Sequence, residues 1–159
     1  MEVRQRARAE PAVKILTQLP GVGPFTALVI LAEVGDISRF GSARKLAAWA
    51  GLTPTVRGSV RTVRHGHISK QGSAWLRWIL CEAAQTAKRH PGFATTYQAI
   101  ARRRGKKIAT TAIARRLLTR AYHLLTDAAS NGTPTSREGS PAPGELAKSH
   151  ETATPRSMT

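Results

Sequence analysis

The sequence is poor in acids, cysteine and long apolar runs, and each shortage excludes something. Only 9 of 159 residues are Asp or Glu, against 25 Lys and Arg, giving a formal charge of +16 and a pI near 11.6. That balance is too extreme for a typical small-molecule enzyme and suits a polyanionic partner, nucleic acid first among them. The single cysteine, Cys81, rules out an internal disulfide or a cysteine metal site, and its apolar neighbours suggest a small buried residue. The longest apolar run, Ala27 to Ala32, stops at Glu33 and is far too short to cross a bilayer. Arg4, Arg6 and Arg8 are not followed by an apolar core, so no signal peptide is read, and no membrane partner is expected. A cytoplasmic, nucleoid-associated protein is the expectation.

The basic residues are concentrated. Between Ile37 and Thr126 there are 18 Lys and Arg and one acid, Glu82. Ordinary solvated surfaces mix signs because like charges repel. A near acid-free stretch of this length implies a partner that neutralises it.

Periodicity predicts an all-α fold with a small basic loop or β insert and a disordered tail. Helices are expected over 12–19, 25–34, 43–49, 73–89, 93–103 and 108–129. Pro24 falls in a first turn, Ser42 at an N-cap, and Gly51 at a carboxy-terminal stop. His90-Pro91-Gly92 and Gly105 are read as breaks. Residues 52–72 lack helical periodicity. Residues 1–11 read as a residual inter-domain connection, 12–129 as one helical domain, and 130–159, rich in Gly, Pro, Ser and Thr, as a disordered tail.

Two segments carry candidate chemistry. Leu19-Pro20-Gly21-Val22-Gly23 lies between two short apolar helices, with Ala27 and Ala32 small enough for close packing. Glycines two apart permit a tight turn, and the free N–H groups opening the second helix would face a phosphate through Gly21, Val22 and Gly23. The pattern resembles the helix-hairpin-helix of DNA repair and recombination proteins; the alternative is an ordinary turn between helices. The second segment, Thr53 to Gly72, holds Arg57, Arg61, Arg64 and Lys70 and no acid. If residues 55–63 are extended, Arg57, Ser59 and Arg61 share a face by the period of two. A hydroxyl between guanidinium groups could attack a phosphodiester, the arginines stabilising the transition state. The spacing alone favours a basic loop with an incidental serine. Trp75 and Trp78 flank Arg77; both read as core, with stacking on a base as the alternative. The run Arg102-Arg103-Arg104-Gly105-Lys106-Lys107, extended by Lys88-Arg89 and Arg115-Arg116, reads as a phosphate-contacting corner or a solvated one. His65 and His67 are read as loop residues and not metal ligands. Glu33 and Asp36 are read as surface or turn-capping carboxylates.

The order of four blocks is specific: the Leu-Pro-Gly-Val-Gly hairpin; Gly35-Asp36-Ile37-Ser38-Arg39-Phe40; Ala43 through Pro54; and Ile68-Ser69-Lys70-Gln71-Gly72 followed by Leu76-Arg77. Together they resemble the carboxy-terminal domain of the Piv/MooV group of site-specific recombinases and insertion-sequence transposases. The resemblance implies that the serine five residues after Pro54, Ser59, is the catalytic nucleophile, with Ser69 the second candidate. Val60 stands where that group usually has glycine. It also implies an amino-terminal RuvC-like domain whose four carboxylates hold Mg2+, and nothing in the sequence matches that domain. No cofactor is expected in this chain, Mg2+ arriving only with the RuvC-like domain. The implied partners are DNA, a structured guide RNA, and further transposase subunits through self-association or a separate RuvC-like domain. The expectation is a DNA-binding, serine-bearing part of a transposase, truncated or split and inactive alone. The alternatives are a non-catalytic DNA/RNA-binding helix-hairpin-helix module and a basic RNA-binding protein of ribosomal type.

Overall fold

The structure, a computed structural model, describes residues 10–59 and 62–132. It is mostly helical, with a single two-stranded sheet among the described residues. The expected tail from residue 133 onward lies outside the described residues, as does most of the expected 1–11 connection.

Helix α1 (Pro11–Leu16) starts on a proline, whose missing N–H is harmless in a first turn. It is shorter than the 12–19 expected: the N–H groups of Gln18 and Leu19 bond three residues back, tightening the chain ahead of Pro20. Helix α2 (Pro24–Val34) buries Ala27, Ile30 and Val34 at helical spacing and ends at Gly35, which takes a left-handed φ of 62°. A 3-10 turn (Ile37–Arg39) follows, capped by Asp36. Helix α3 (Ala43–Trp49) is capped by Ser42, whose Oγ accepts from the Lys45 N–H at 3.3 Å. Its end satisfies two orphan carbonyls: the Gly51 N–H donates to Ala48 O and the Leu52 N–H to Ala47 O, with Gly51 left-handed at φ 71°.

Strands β1 (Pro54–Ser59) and β2 (Thr62–Ile68) form an antiparallel hairpin over the segment read as loop or strand. Its register shifts between Pro54 and Val56, where Thr55 Oγ1 donates to His67 O at 2.9 Å. Helix α4 (Ala74–Ala87) is capped by Ser73. Helix α5 (Pro91–Arg104) follows the expected break at His90 and starts two residues before the expected Phe93. Pro91 opens the helix, and His90 is its N-cap, its Nδ1 accepting from the Gly92 N–H at 3.2 Å. Helix α6 (Lys106–Gly132) begins directly after Gly105 and runs past both expected ends.

Helix α6 is the axis of the core, packing along α1, α3, α4 and α5. Ala109, Ile113, Ala114, Leu117, Leu118 and Ala121 form its buried stripe. Leu76, Leu80 and Phe93, from α4 and α5, are buried against it. Each fully buried Leu or Phe contributes about 1.5–3 kcal/mol. Among the described residues the hairpin strands touch each other closely and no other element to a comparable extent.

Candidate nucleic-acid interface

The Leu19–Gly23 turn does not present all three expected backbone positions outward. Gly21 has a φ of 79°, and a Cβ there would run into the Ala83 carbonyl oxygen and lie 3.0 Å from the Ala87 nitrogen. The turn is thus pressed onto α4, where small side chains at 83, 84 and 87 make room. Val22 is buried in the core. Gly23 alone of the three faces open space, followed by Pro24 and an exposed Phe25. Ala27 is fully buried as expected; Ala32 is exposed, so it does not set the helix packing.

In the hairpin the register sets Arg57 across from Arg64 and Ser59 across from Thr62. Ser59 is therefore the last residue of β1, at the turn end of the hairpin. Val60 and Arg61 lie outside the described residues, as do the side chains of Arg57, Ser59 and Arg64. Like charges at directly opposed strand positions destabilise a pair.

At the base of the hairpin the chain passes through Ser69, Lys70, Gln71 and Gly72. Lys70 is exposed in a left-handed conformation, φ 55°. Gly51 and Gly72 let this turn lie against the end of α3: a Cβ on Gly51 would meet the Gln71 backbone, and one on Gly72 the Trp49 carbonyl. Arg77, expected to contact nucleic acid, is bonded within the protein through Nη1. Its guanidinium donates to the carbonyls of Gly72 at 2.9 Å, Gln71 at 3.1 Å and Ala50 at 3.4 Å. Ser69 Oγ is buried and has no hydrogen-bond partner among the described residues.

A strongly basic feature lies between this hairpin base and α6. A groove of about 830 Å3 runs there. Its basic lining comes from His67 and Lys70 on one wall and Arg104, Lys107, Arg115 and Arg116 on the other; no acid lines it among the described residues. Of the binding residues expected from the sequence, Lys70 reaches the groove. The remaining cations belong to the charge runs that the sequence left undecided. The missed signal was a second helical stripe. Positions 107, 108, 111, 112, 115, 116 and 119 recur at the helical period, beside the buried stripe at 109, 113, 117 and 121.

The groove is electrostatically primed. Lys106 and Lys107 sit in the first turn of α6, at the positive end of its dipole, with no acid in that turn. Cations are unfavourable at that end and an anion is favourable. Arg116 Nη1 donates to Thr96 Oγ1 at 3.0 Å, which steadies one cation at the groove wall.

Other expectations sort differently. Trp75 and Trp78 are exposed, 67% and 49%, and meet edge to face at 5.7 Å, correcting their reading as core. Trp49 does pack inward, against Phe40 at 5.3 Å and under the Arg39 guanidinium. The Tyr122 hydroxyl donates to Phe40 O. Cys81 is half-buried, and that burial pushes its thiol pKa up, with Glu82 adding to the shift. Asp36 caps the 3-10 turn, accepting from both the Oγ–H and the N–H of Ser38, which lowers its pKa; Arg39 adds a smaller effect. No group of three His, Cys, Asp or Glu that could hold a metal occurs among the described residues. Nor is any described helix long and apolar enough to cross a membrane.

Residues 13–98 match the transposase IS116/IS110/IS902 family. The chain is 35% identical over 96 residues to an uncharacterized 44.8 kDa protein of insertion element IS116 from Streptomyces clavuligerus, covering 60% of this chain and 24% of that protein. It is 34% identical over 130 residues to the transposase for insertion sequence element IS1111A from Coxiella burnetii, covering 79% and 36%. A putative transposase of Sinorhizobium fredii is 35% identical over 126 residues, covering 75% and 32%. The chain thus spans about a quarter to a third of the length of the curated relatives it matches.

Proposed function

The chain belongs to the IS116/IS110/IS902 transposase family, and from that premise we propose that it is the DNA-holding, serine-bearing part of an insertion-sequence transposase. The resemblance to the carboxy-terminal domain of the Piv/MooV group belongs to the same proposal. The observation that carries it is the groove with six basic side chains between the hairpin base and α6, free of acids among the described residues. Such a surface gains affinity from phosphates by releasing their counterions.

In this reading Ser59 is the nucleophile. Its oxygen attacks a DNA phosphorus, a deoxyribose oxygen leaves, and the phosphodiester energy is kept in a serine–DNA link. Arg57, Arg61 and Arg64 supply positive charge in the same segment of the sequence. Ser59 is favoured over Ser69 by position: Ser69 Oγ is buried at the hairpin base, whereas Ser59 ends the strand. The helix-hairpin-helix reading keeps one contact point, the open backbone at Gly23 ahead of α2. The described residues do not fit a Mg2+ site, so no step in this chain is routed through metal. Carboxylates for Mg2+ would come from a RuvC-like domain, and a structured guide RNA and further subunits complete the proposed assembly.

The experiment mixes the chain with the RuvC-like domain of a closely similar transposase, cognate DNA, guide RNA and Mg2+. A denaturation-resistant protein–DNA adduct should form, vanish in Ser59→Ala and persist in Ser69→Ala. Loss in Ser69→Ala alone moves the nucleophile. An adduct surviving both changes rejects serine chemistry and leaves a non-catalytic DNA- or RNA-binding module.

A further inference from the structure

The groove has a property that a duplex-binding surface does not require: part of its lining, called its floor below, is apolar. Leu52 and Pro54 from the α3–β1 connection, Ile68 from β2, and Ile108 and Ala112 from α6 line it together with the cations. Ile108 is 51% exposed although it stands directly after Lys106 and Lys107. A double helix presents phosphates outward and keeps its base faces stacked inside, so it offers this floor nothing to cover it. An unpaired strand offers both surfaces, a phosphate for each cation and a flat apolar base face. The volume of about 830 Å3 falls in the range of small-ligand sites.

The hydroxyl groups of the lining point the same way. Thr111 Oγ1 donates to Lys107 O at 3.2 Å and Thr119 Oγ1 to Arg115 O at 3.0 Å. With their protons committed to the helix, both hydroxyls keep acceptor lone pairs beside donor side chains of Lys107, Arg115 and Arg116. Exocyclic amino groups of a base can use them.

We propose that this groove seats an unpaired nucleotide of the DNA strand, base against Ile108 and Ala112, phosphates on Lys107 and Arg115. The inference rests on the DNA-holding reading above. It also places the unpaired position. Pro54 lines the groove and Ser59 ends the same strand, five residues on. At about 3.3 Å per residue the two stand roughly 17 Å apart along β1. A strand with its scissile phosphate at Ser59 would therefore enter the groove a few nucleotides away.

The test uses the whole chain and three fluorescent probes of one sequence: single-stranded DNA, the DNA duplex, and single-stranded RNA. The lesion is Ile108→Ser, which removes no charge and, at a half-exposed site, leaves the fold intact by circular dichroism. It should weaken single-stranded DNA binding by about tenfold and duplex binding by less than about twofold, with the salt slope unchanged. As a second measurement, Ala112→Glu, which puts a carboxylate on the floor, should weaken single-stranded DNA binding more than duplex binding. If Ile108→Ser leaves single-stranded affinity unchanged, or lowers both equally, the unpaired-nucleotide seat is rejected while DNA holding stands. If RNA binds markedly tighter than DNA of the same sequence, the assignment to a DNA strand is overturned. Failure of every probe to bind at low salt removes both readings together.

Discussion

Helices α4 and α6 pack against each other and turn opposite characters to the outside. The outer face of α4 carries Trp75, Trp78, Glu82 and Gln85, almost without net charge. That of α6 carries Lys106, Lys107, Arg115, Arg116 and Arg120. Their inner faces are alike: leucine, isoleucine and alanine from both helices fill one cluster. The inner faces make the fold and, in the proposed reading, the outer face of α6 meets the DNA, so a lesion to one should spare the other.

The largest effect separates two glycines of one turn. Gly21→Val should destabilise by roughly 2–6 kcal/mol, because it adds positive-φ strain to a collision with the α4 backbone. Gly23→Val, in open space at φ −87°, should leave urea unfolding nearly unchanged. Equal losses at both sites would break the division between inner and outer surface. This contrast was not readable from the sequence. Gly-Val-Gly looks symmetric, and what distinguishes its two glycines is Ala83 and Ala87, on a helix far along the chain.

What was readable was local. Ser42 and Ser73 cap helices through bonds three residues ahead, and Gly51 stops α3 through bonds three to five residues back, so neighbouring residue types sufficed. The proline opening α2 was readable for the same reason, but Pro91 was not, since a proline after a histidine reads as a break until the ring is seen to cap the helix. Trp75 and Trp78 stand one residue before Leu76 and Ile79, about 100° from the core stripe by the helical period, which sends them outside. The groove was half-legible. Its basic runs were visible, but their meeting with Lys70 depends on where the Gly51–Gly72 turn sets the hairpin base.

The next effect is on binding alone. Replacing Arg104, Lys107 and Arg115 together with glutamine should leave helicity intact and weaken DNA binding. It should also lower the log–log salt slope by about 0.9 for each phosphate no longer neutralised. An unchanged slope would move the interface off α6.

Arg77→Ala should give a smaller, purely structural effect. It frees three carbonyls joining α3, the hairpin base and α4, and should cost about 1–3 kcal/mol in thermal unfolding. At temperatures where the variant stays folded, its DNA affinity and salt slope should match those of the parent. A drop in slope with unchanged stability would return Arg77 to the interface.

The smallest effect belongs to the face of α4 that the charges avoid. Trp75→Gln and Trp78→Gln remove an exposed edge-to-face pair, worth at most about 1.5 kcal/mol beyond its area. Both rings already stand in solvent, so little burial is lost and unfolding should shift only slightly. Neither ring lines the groove, so affinity for single-stranded and duplex DNA should stay as it was. Tryptophan emission supplies the internal check. With the less exposed Trp49 as the remaining indole, the emission of the double variant should move to the blue, and adding DNA should quench it no more than in the parent. A clear loss of single-stranded affinity would mean that a base stacks on α4 as well. The nucleic-acid track would then run from α6 across the Gly72 turn onto the aromatic pair, and the neutral face of α4 would be part of the interface.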